Sequence, residues 1–278
     1  MQLNSSHLIV LGVSLLLITA CGRQTPSTAE TKMPDSAEAI SQAAEPAPDD
    51  ATEATTLKAQ LEEQQAQYTK ISPTIFAVID KAIAELTASG ILDRAVKAGD
   101  KAPDFSLPDA LGNRVSLYEA LEKGSVILTW YRGSWCPFCN IQLHDYQKVL
   151  GDIHAAGAQL FAVSPELPDS SLSWKEKNEL EFVVLSDLRN EVARQYGIVY
   201  RVPDSIAANY GKGGRIDLAK YNDDESLELP LAVTYVVGTD GMIEYAFLDT
   251  DWRKRAETSE VVDVVKRLAL NSTRAPNN

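Results

Sequence analysis

The sequence is poor in cysteine, in histidine and in positive charge. Its 278 residues include 3 Cys and 3 His, and 26 Lys and Arg stand against 39 Asp and Glu, so the formal net charge is −13. Three cysteines are too few for a scaffold held together by disulfides. Because an acidic chain repels phosphate backbones, we expect no nucleic-acid partner.

The hydrophobic run at the N-terminus is too short to span a membrane. Residues 8–20 are apolar or small, which is typical of the central region of a signal peptide. No Lys or Arg precedes the run, but it ends directly before Cys21 and Gly22, an arrangement that resembles a bacterial lipobox. We therefore predict a lipoprotein signal peptide at residues 1–20 and lipidation of Cys21. The alternative is an ordinary signal peptide with a cysteine nearby.

This prediction sets the expected location of the mature protein. It is exported and anchored, through the lipid on Cys21, to the extracytoplasmic (periplasmic) side of a bacterial membrane. Residues 21–56 consist mainly of Ala, Thr, Ser, Pro, Glu and Asp. Such a segment buries too little apolar surface to offset its ordering entropy, so we predict a disordered tether.

The pattern of apolar residues divides the rest of the chain. Residues 57–98 have apolar positions at helical spacing and are predicted to be a helical extension. Residues 99–270 are predicted to form the main domain, and residues 271–278 a disordered tail. Within the domain, residues 202–229 contain a glycine cluster and an acidic cluster, break the pattern, and are predicted to be an insertion.

The main domain alternates between short strands and helices. Residues 125–130 are rich in β-branched side chains and predict a buried strand, and a turn at residues 238–241 predicts a late hairpin. Strands that alternate with helices, followed by a hairpin, indicate an α/β fold with a mixed central sheet flanked by helices on both faces.

The residues that carry chemistry are two cysteines at the start of a predicted helix. Cys139 falls on the apolar face of that helix, so we expect it to be buried. Cys136 lies in the first turn, where unpaired backbone N–H groups and the helix dipole lower the pKa of a thiol. Arg132 is close enough in sequence to add its charge. We predict that Cys136 is the nucleophile and that Cys139 closes a disulfide with it.

Three other interpretations of the pair remain. A structural disulfide between Cys136 and Cys139 closes a very small loop and constrains the unfolded chain little. A zinc site needs two more ligands, and His144 and His154 lie too far along the same helix to converge on the pair. Two buried packing cysteines are the third interpretation. We expect no metal and no cofactor.

Two stretches of sequence resemble a known family. Residues 99–107 (GDKAPDFSL) resemble the opening of alkyl hydroperoxide reductase/thiol-specific antioxidant (AhpC/TSA) domains, and residues 131–139 (YRGSWCPFC) resemble a peroxiredoxin-like subgroup of that family. The resemblance extends over about residues 57–270. It implies a thioredoxin-like fold and the reduction of hydroperoxides by Cys136, as the peroxidatic cysteine, through a sulfenic acid. It also implies Cys139 as the resolving cysteine and a thioredoxin-like partner as the reductant.

The chain departs from the family pattern at several positions. Typical peroxiredoxins have Pro and Thr or Ser at two set positions before the reactive cysteine, where this chain has Thr129 and Gly133. The family also uses an Arg from a late strand, and alignment puts Ala232 there. On charge and hydroxyl chemistry we assign substitute roles to Arg132, as stabiliser of the thiolate, and to Ser134, as hydrogen-bond partner of the peroxide.

Two further functions use the same cysteine pair. One is an exported thiol–disulfide oxidoreductase that acts on other exported proteins. The other is a non-enzymatic module, either an adaptor or a protein that holds Cu(I) between two soft thiolates.

Overall fold

The computed structural model describes residues 56–211 and 214–274. The predicted signal peptide, the tether to residue 55 and the predicted lipidation site Cys21 therefore lie outside the described residues. Within the described ranges, no helix combines the length and the apolar character needed to cross a bilayer.

The described chain begins with three helices: α1 (Leu57–Ile71), α2 (Pro73–Ala88) and α3 (Ile91–Arg94). The Thr56 side chain accepts a hydrogen bond from the backbone at the start of α1. Proline occupies the first position of α2, where its missing N–H costs no hydrogen bond. The helical extension is thus present where the apolar spacing predicted it.

The remaining elements alternate between strands and helices. In chain order they are β1 (Ser106–Pro108), β2 (Arg114–Ser116), α4 (Leu117–Leu121), β3 (Val126–Trp130), α5 (Pro137–Ala155), β4 (Gln159–Ser164), α6 (Pro168–Lys177), β5 (Val183–Ser186), a 3-10 turn (Leu188–Asn190), α7 (Glu191–Gln195), β6 (Val199–Arg201), α8 (Asp204–Ala207), α9 (Leu218–Asn222), β7 (Glu228–Pro230), β8 (Thr234–Val237), β9 (Ile243–Phe247) and α10 (Thr258–Arg274).

Five strands form the central sheet, in the order β5-β4-β3-β8-β9. β4 runs parallel to β3 and β5, whereas β8 pairs antiparallel with β3 and β9. The two parallel connections pass through helices, and the antiparallel pair β8–β9 is the predicted hairpin. The sheet is mixed and flanked by helices, which confirms the predicted fold class.

Alternate side chains of β3 enter two separate cores. Val126, Leu128 and Trp130 face a core that includes residues of α2, α3, α4 and α7, whereas Ile127 faces the core that includes α5 and α10. Because all five residues of β3 are buried, the strand lies at the centre of the molecule. The first turn of α5 follows β3 after a short loop, so the cysteines start from a rigid position.

The predicted insertion at residues 202–229 has secondary structure of its own. It contains α8 and α9, and β7 at its end pairs antiparallel with β6. Its side chains Tyr210 and Leu218 are buried in the core. The segment therefore packs on the domain and borders the cysteines, as described below.

The last helix is longer than expected. α10 continues to Arg274, whereas we predicted a disordered tail from residue 271. The helix continues because residues 271–274 contain no helix breaker, and the first proline after it is Pro276. Residues 275–278 lie outside the described residues.

Candidate active site

The end of β3 and the start of α5 bring the two cysteines together. Cys136 is the N-cap residue of α5, and its carbonyl oxygen accepts hydrogen bonds from the backbone N–H groups of Cys139 and Asn140, both at 3.0 Å. One helical turn therefore places both thiols on the same side of the helix. Both cysteines are free, and their side chains hydrogen-bond to each other.

The two sulfur atoms differ in access. Cys136 is 1% exposed and lines a cavity of about 490 Å³, whereas Cys139 is fully buried and lies behind it. The predicted burial of Cys139 is confirmed. Of the two sulfurs, Cys136 is the one that a small molecule in the cavity can reach.

Two arginine side chains contact the cysteine pair. Nη1 of Arg132 lies 3.9 Å from Cys136 Sγ, and Nη2 of Arg255 lies 3.3 Å from Cys139 Sγ. Both arginines are buried. The structure places Arg132 beside Cys136, and its role as stabiliser of the thiolate stays a prediction. Arg255 was missed, although the basic run Arg253-Lys254-Arg255 in an otherwise acidic chain is a signal that the sequence offers.

Burial, the hydrogen bond between the sulfurs and the neighbouring charges shift the pKa values of the two thiols in opposite directions. Burial raises the pKa of Cys136 well above its ordinary value, and the hydrogen bond to Cys139 and its charge add to this effect. Burial also disfavours the Cys139 thiolate, but the hydrogen bond from Cys136 and the charge of Arg255 outweigh it and lower the pKa of Cys139 to about 5. The prediction that the helix start lowers the pKa of Cys136 is wrong for the reduced pair.

The physical reason is visible in the geometry. As an N-cap, Cys136 makes no side-chain hydrogen bond to the backbone of the first turn. Its sulfur is also farther from a guanidinium than the sulfur of Cys139 is. For the Cys136 thiolate, the unfavourable effect of burial therefore outweighs the favourable effect of the helix dipole. The thiolate of Cys139 is favoured because its sulfur lies closer to a guanidinium group.

Aromatic rings hold Arg132 in place. Its guanidinium lies over the rings of Trp252, Trp135 and Tyr210, with 4.4, 4.9 and 5.4 Å to the ring centroids. Nη2 also donates a 2.8 Å hydrogen bond to the hydroxyl of Tyr210. Cation–π contacts in a desolvated site are each worth roughly 2 kcal/mol, so the guanidinium is fixed beside Cys136.

Ser134 connects the cavity to a buried carboxyl group. The Ser134 hydroxyl donates to Oε1 of Glu166 at 2.7 Å, and the Ser134 N–H donates to Oε2 at 2.9 Å. Glu166 is fully buried. Burial raises the pKa of Glu166 to about 7 against the opposing effect of the two Ser134 bonds, and the charge of Cys139 raises it further. A role was predicted for Ser134 but not for Glu166, its hydrogen-bond partner.

Among the residues that the structure describes, no group of three or more His, Cys, Asp or Glu side chains is arranged to hold a metal ion. The walls of the cavity are mostly apolar and aromatic. They come from α1, α2, the loop before α5 and the first turn of α5, the insertion and the segment after β9.

Comparison with known protein families gives one match that spans more than half of the chain. The model of the AhpC/TSA family matches residues 98–246. The chain belongs to the AhpC/TSA family. The match includes the central sheet, both cysteines, Arg132, Ser134 and Glu166, and it ends before Arg255.

Several relatives within the AhpC/TSA family are peroxiredoxins. A putative peroxiredoxin of Mycobacterium tuberculosis (strain H37Rv) is 38% identical over 99 residues, which are 36% of this chain and 62% of that protein. Peroxiredoxin Bcp of Escherichia coli (strain K12) is 32% identical over 103 residues, 37% of this chain and 65% of that protein. The chain thus matches less than two thirds of the length of these relatives.

A solved structure of similar fold is that of a mutant peroxiredoxin 6 from Arenicola marina. It superposes with a TM-score of 0.52 and 17% sequence identity, over 66% of this chain and 80% of that one. At this identity the likeness shows the fold alone, and it agrees with the predicted thioredoxin-like fold.

One departure from the AhpC/TSA pattern has a steric cause. Gly133 has φ of +151°, a conformation that side chains rarely adopt, and a Cβ at this position would collide with the indole of Trp135. Trp135 is one of the rings that hold Arg132. A Thr or Ser at position 133 is therefore incompatible with the aromatic contacts of this site.

A second departure concerns the late-strand arginine. Ala232 lies in the core just before β8 and is 2% exposed, so it brings no charge to the cysteines. Arg255, in the segment between β9 and α10, places a guanidinium beside Cys139 instead. The site thus has its second positive charge, but from a residue beyond the segment that the AhpC/TSA model matches.

Proposed function

We propose that this AhpC/TSA protein is a thiol peroxidase that reduces hydroperoxides at Cys136. The observation that carries the proposal is a hydrogen-bonded thiol pair, flanked by two buried guanidinium groups, of which one sulfur lines a cavity. Family membership and the peroxiredoxin relatives support it.

The first step is attack on the peroxide. Because the pKa of Cys139 is about 5, the pair holds one negative charge at neutral pH. The proton that Cys136 carries passes to Cys139 along the hydrogen bond between the sulfurs. The Cys136 thiolate then attacks the terminal peroxide oxygen. An S–O bond forms, the O–O bond breaks and takes two electrons from sulfur, and the products are a Cys136 sulfenic acid and an alkoxide.

The leaving alkoxide needs a proton. Ser134 lines the cavity and hydrogen-bonds to Glu166, whose pKa of about 7 keeps a fraction of the carboxyl groups protonated near neutral pH. When Glu166 is protonated, the direction of this hydrogen bond reverses: the carboxyl O–H donates to Ser134 Oγ, and the Ser134 hydroxyl can donate into the cavity. The alkoxide then takes the hydroxyl proton of Ser134, and Ser134 takes that of Glu166. A general acid placed in this way contributes roughly 10²- to 10⁴-fold to such a step.

The second step closes a disulfide. The Cys139 sulfur attacks the sulfur of the Cys136 sulfenic acid, an S–S bond forms, and hydroxide leaves with the Cys139 proton as water. An external dithiol, for which we propose a thioredoxin-like protein, then reduces the disulfide. Of its two protons, one returns to the cysteine pair and one to Glu166, so the cycle balances.

The site is proposed to work outside the cytoplasm. The lipobox-like residues before Cys21 support an exported lipoprotein that is anchored at the extracytoplasmic side of a bacterial membrane. On this proposal the tether holds the domain near the bilayer, where lipid-derived hydroperoxides are one source of substrate.

Stopped-flow kinetics with the mature protein tests the proposed peroxidase. We expect hydroperoxide to oxidise the wild type rapidly, with a fluorescence change from Trp135, and C136S to lose this reaction. If C136S is oxidised as fast as the wild type, the proposal fails. Faster reduction of a protein disulfide than of peroxide would favour the oxidoreductase, and tight Cu(I) binding without turnover would favour the non-enzymatic module.

A further inference from the structure

The helical extension forms one wall of the cavity that Cys136 lines, although it precedes the segment matched by the AhpC/TSA model. Its contributing side chains are Tyr68 of α1 and Ile75, Phe76 and Ile79 of α2. Three of these four side chains are apolar. Tyr68 is the one that brings a polar atom.

The hydroxyl group of Tyr68 has no hydrogen-bond partner among the described residues, and it is buried. The side chain is 6% exposed, and its ring packs against Phe76 and Phe138, with centroids 6.3 and 6.1 Å away. A buried hydroxyl without a partner is unfavourable, so its presence at a cavity points to a bound acceptor.

Tyr68 also lies within electrostatic reach of the reactive sulfur. Burial raises the pKa of Tyr68 to about 12, and a negative charge on Cys136, where that thiol ionises, adds to the effect. The phenol therefore keeps its proton at neutral pH and is available as a donor. Other donors line the same cavity. The Nη atoms of Arg132 bond Tyr210 and the Cys136 sulfur, the Ser134 hydroxyl bonds Glu166, and Trp135 Nε1, like the Tyr68 hydroxyl, has no partner among the described residues.

We propose that Tyr68 is a catalytic residue that donates a hydrogen bond to the peroxide oxygen that leaves when the O–O bond breaks. The inference rests on the proposed peroxidase function. Negative charge develops on this oxygen in the transition state, and a fixed donor in a site with little water stabilises it strongly. The extension thus completes the active site as well as enclosing it.

Y68F tests the inference, because it removes one oxygen atom and keeps the ring packing. We expect the rate constant for oxidation of Cys136 by hydrogen peroxide or tert-butyl hydroperoxide to fall by about 10²- to 10³-fold. Alkylation of Cys136 by iodoacetamide involves no leaving oxygen, so its rate should not change.

A peracid substrate makes the test specific for the leaving oxygen. Its leaving group is a carboxylate, which needs little stabilisation, so the loss caused by Y68F should be much smaller than with alkyl hydroperoxides. Y235F is the matched control, since Tyr235 is also buried, its hydroxyl also lacks a partner within the described ranges, and it does not line the cavity. We expect Y235F to react like the wild type.

Two results would overturn the role of Tyr68. Either Y68F reacts with hydroperoxides as fast as the wild type, or its rates with hydroperoxide, peracid and iodoacetamide all fall by the same factor, which indicates a structural role. Failure of the proposed function looks different: the wild type itself then leaves hydroperoxide unreduced while iodoacetamide still alkylates Cys136.

Discussion

At the scale of single residues, the position of the negative charge depends on Arg132 and Arg255. Arg132 contacts the sulfur that lines the cavity, and Arg255 makes the shorter contact with the buried sulfur. Cys139 therefore carries the charge of the reduced pair, and in the proposed reaction Cys136 gains it by proton transfer along the hydrogen bond between the sulfurs. This arrangement favours the protonated form of the accessible thiol in the reduced pair.

R255Q should raise the pKa of Cys139, because it removes the closest positive charge. Loss of a neighbouring opposite charge shifts a pKa by about 1 to 3 pH units. An ultraviolet titration of thiolate absorbance should place the first ionisation of the pair above its value of about 5 in the wild type.

The matched control for this titration is R253Q. Arg253 is buried in the same segment, but its guanidinium bonds Asp251 and Asp80. R253Q should leave the thiolate titration unchanged. An R255Q titration that coincides with that of the wild type would contradict the role given to Arg255.

Glu166 should give the pH–rate profile of the peroxidase reaction an alkaline limb, in which the rate falls as the pH rises. The pair must lose its first proton, with a pKa of about 5, while Glu166 must keep its own, with a pKa of about 7. The rate should therefore rise through the first value and fall through the second. Glu166 hydrogen-bonds to Ser134, and the titratable groups that face it are Cys139 and Tyr131.

E166Q tests this assignment in the pH dependence of kcat/KM. The amide keeps the shape of the side chain and has no proton to give, so the rate should fall and the limb near pH 7 should disappear. D187N removes another buried carboxyl group, one that bonds the backbone of α7, and should keep the limb. A limb that persists in E166Q would assign it to another group.

At the scale of elements, the helical spacing of apolar residues was enough to predict the helix that carries the cysteines. Cys139 and the apolar residues that follow it at helical spacing are all buried in α5, since the period of one helix fixes which side chains share a face. The same reasoning correctly located α1, whose buried residues are Leu57, Leu61 and Tyr68.

The contacts that complete the site could not be predicted in this way. The bond from Arg132 to Tyr210 joins residues 78 positions apart, and the contact of Arg255 with Cys139 spans 116 positions. Such contacts depend on how elements pack, and no periodic pattern encodes them. The pKa of Cys136 was mispredicted for the same reason, because burial by distant elements outweighs the local effect of the helix start.

L61A should loosen the extension from the domain. Leu61 is 5% exposed and belongs to the core that contains Phe138 and Leu143 of α5. Replacing a buried Leu by Ala costs about 2–5 kcal/mol, which urea denaturation measures. E62A, on the exposed side of α1, should change the free energy of unfolding by less than about 0.5 kcal/mol. Equal effects of L61A and E62A would show that α1 does not dock as described.

At the scale of the whole molecule, the site is larger than the segment that defines the family. Residues 98–246 contain the sheet, the cysteines, Arg132 and Glu166. Tyr68 comes from before this segment, and Trp252 and Arg255 come from after it. The flanking segments therefore form part of the cavity wall and of the contacts with the cysteine pair.

The C21S variant tests the proposed membrane anchor. We expect the wild type, expressed in a bacterium, to fractionate with membranes and its first residue to carry lipid in mass spectra. C21S should lose the lipid and appear in the soluble fraction. A wild type without lipid at Cys21, or a C21S variant that still fractionates with membranes, would contradict the lipoprotein assignment.

The most direct test of the account is mass spectrometry after one equivalent of hydroperoxide, with a dimedone-type trap for sulfenic acid. We predict a Cys136–Cys139 disulfide in the wild type, a trapped sulfenic acid on Cys136 in C139S, and no oxidised product at the site in C136S. A sulfenic acid on Cys139, or oxidation of the site in C136S at the wild-type rate, would contradict the claim that Cys136 is the sulfur that attacks.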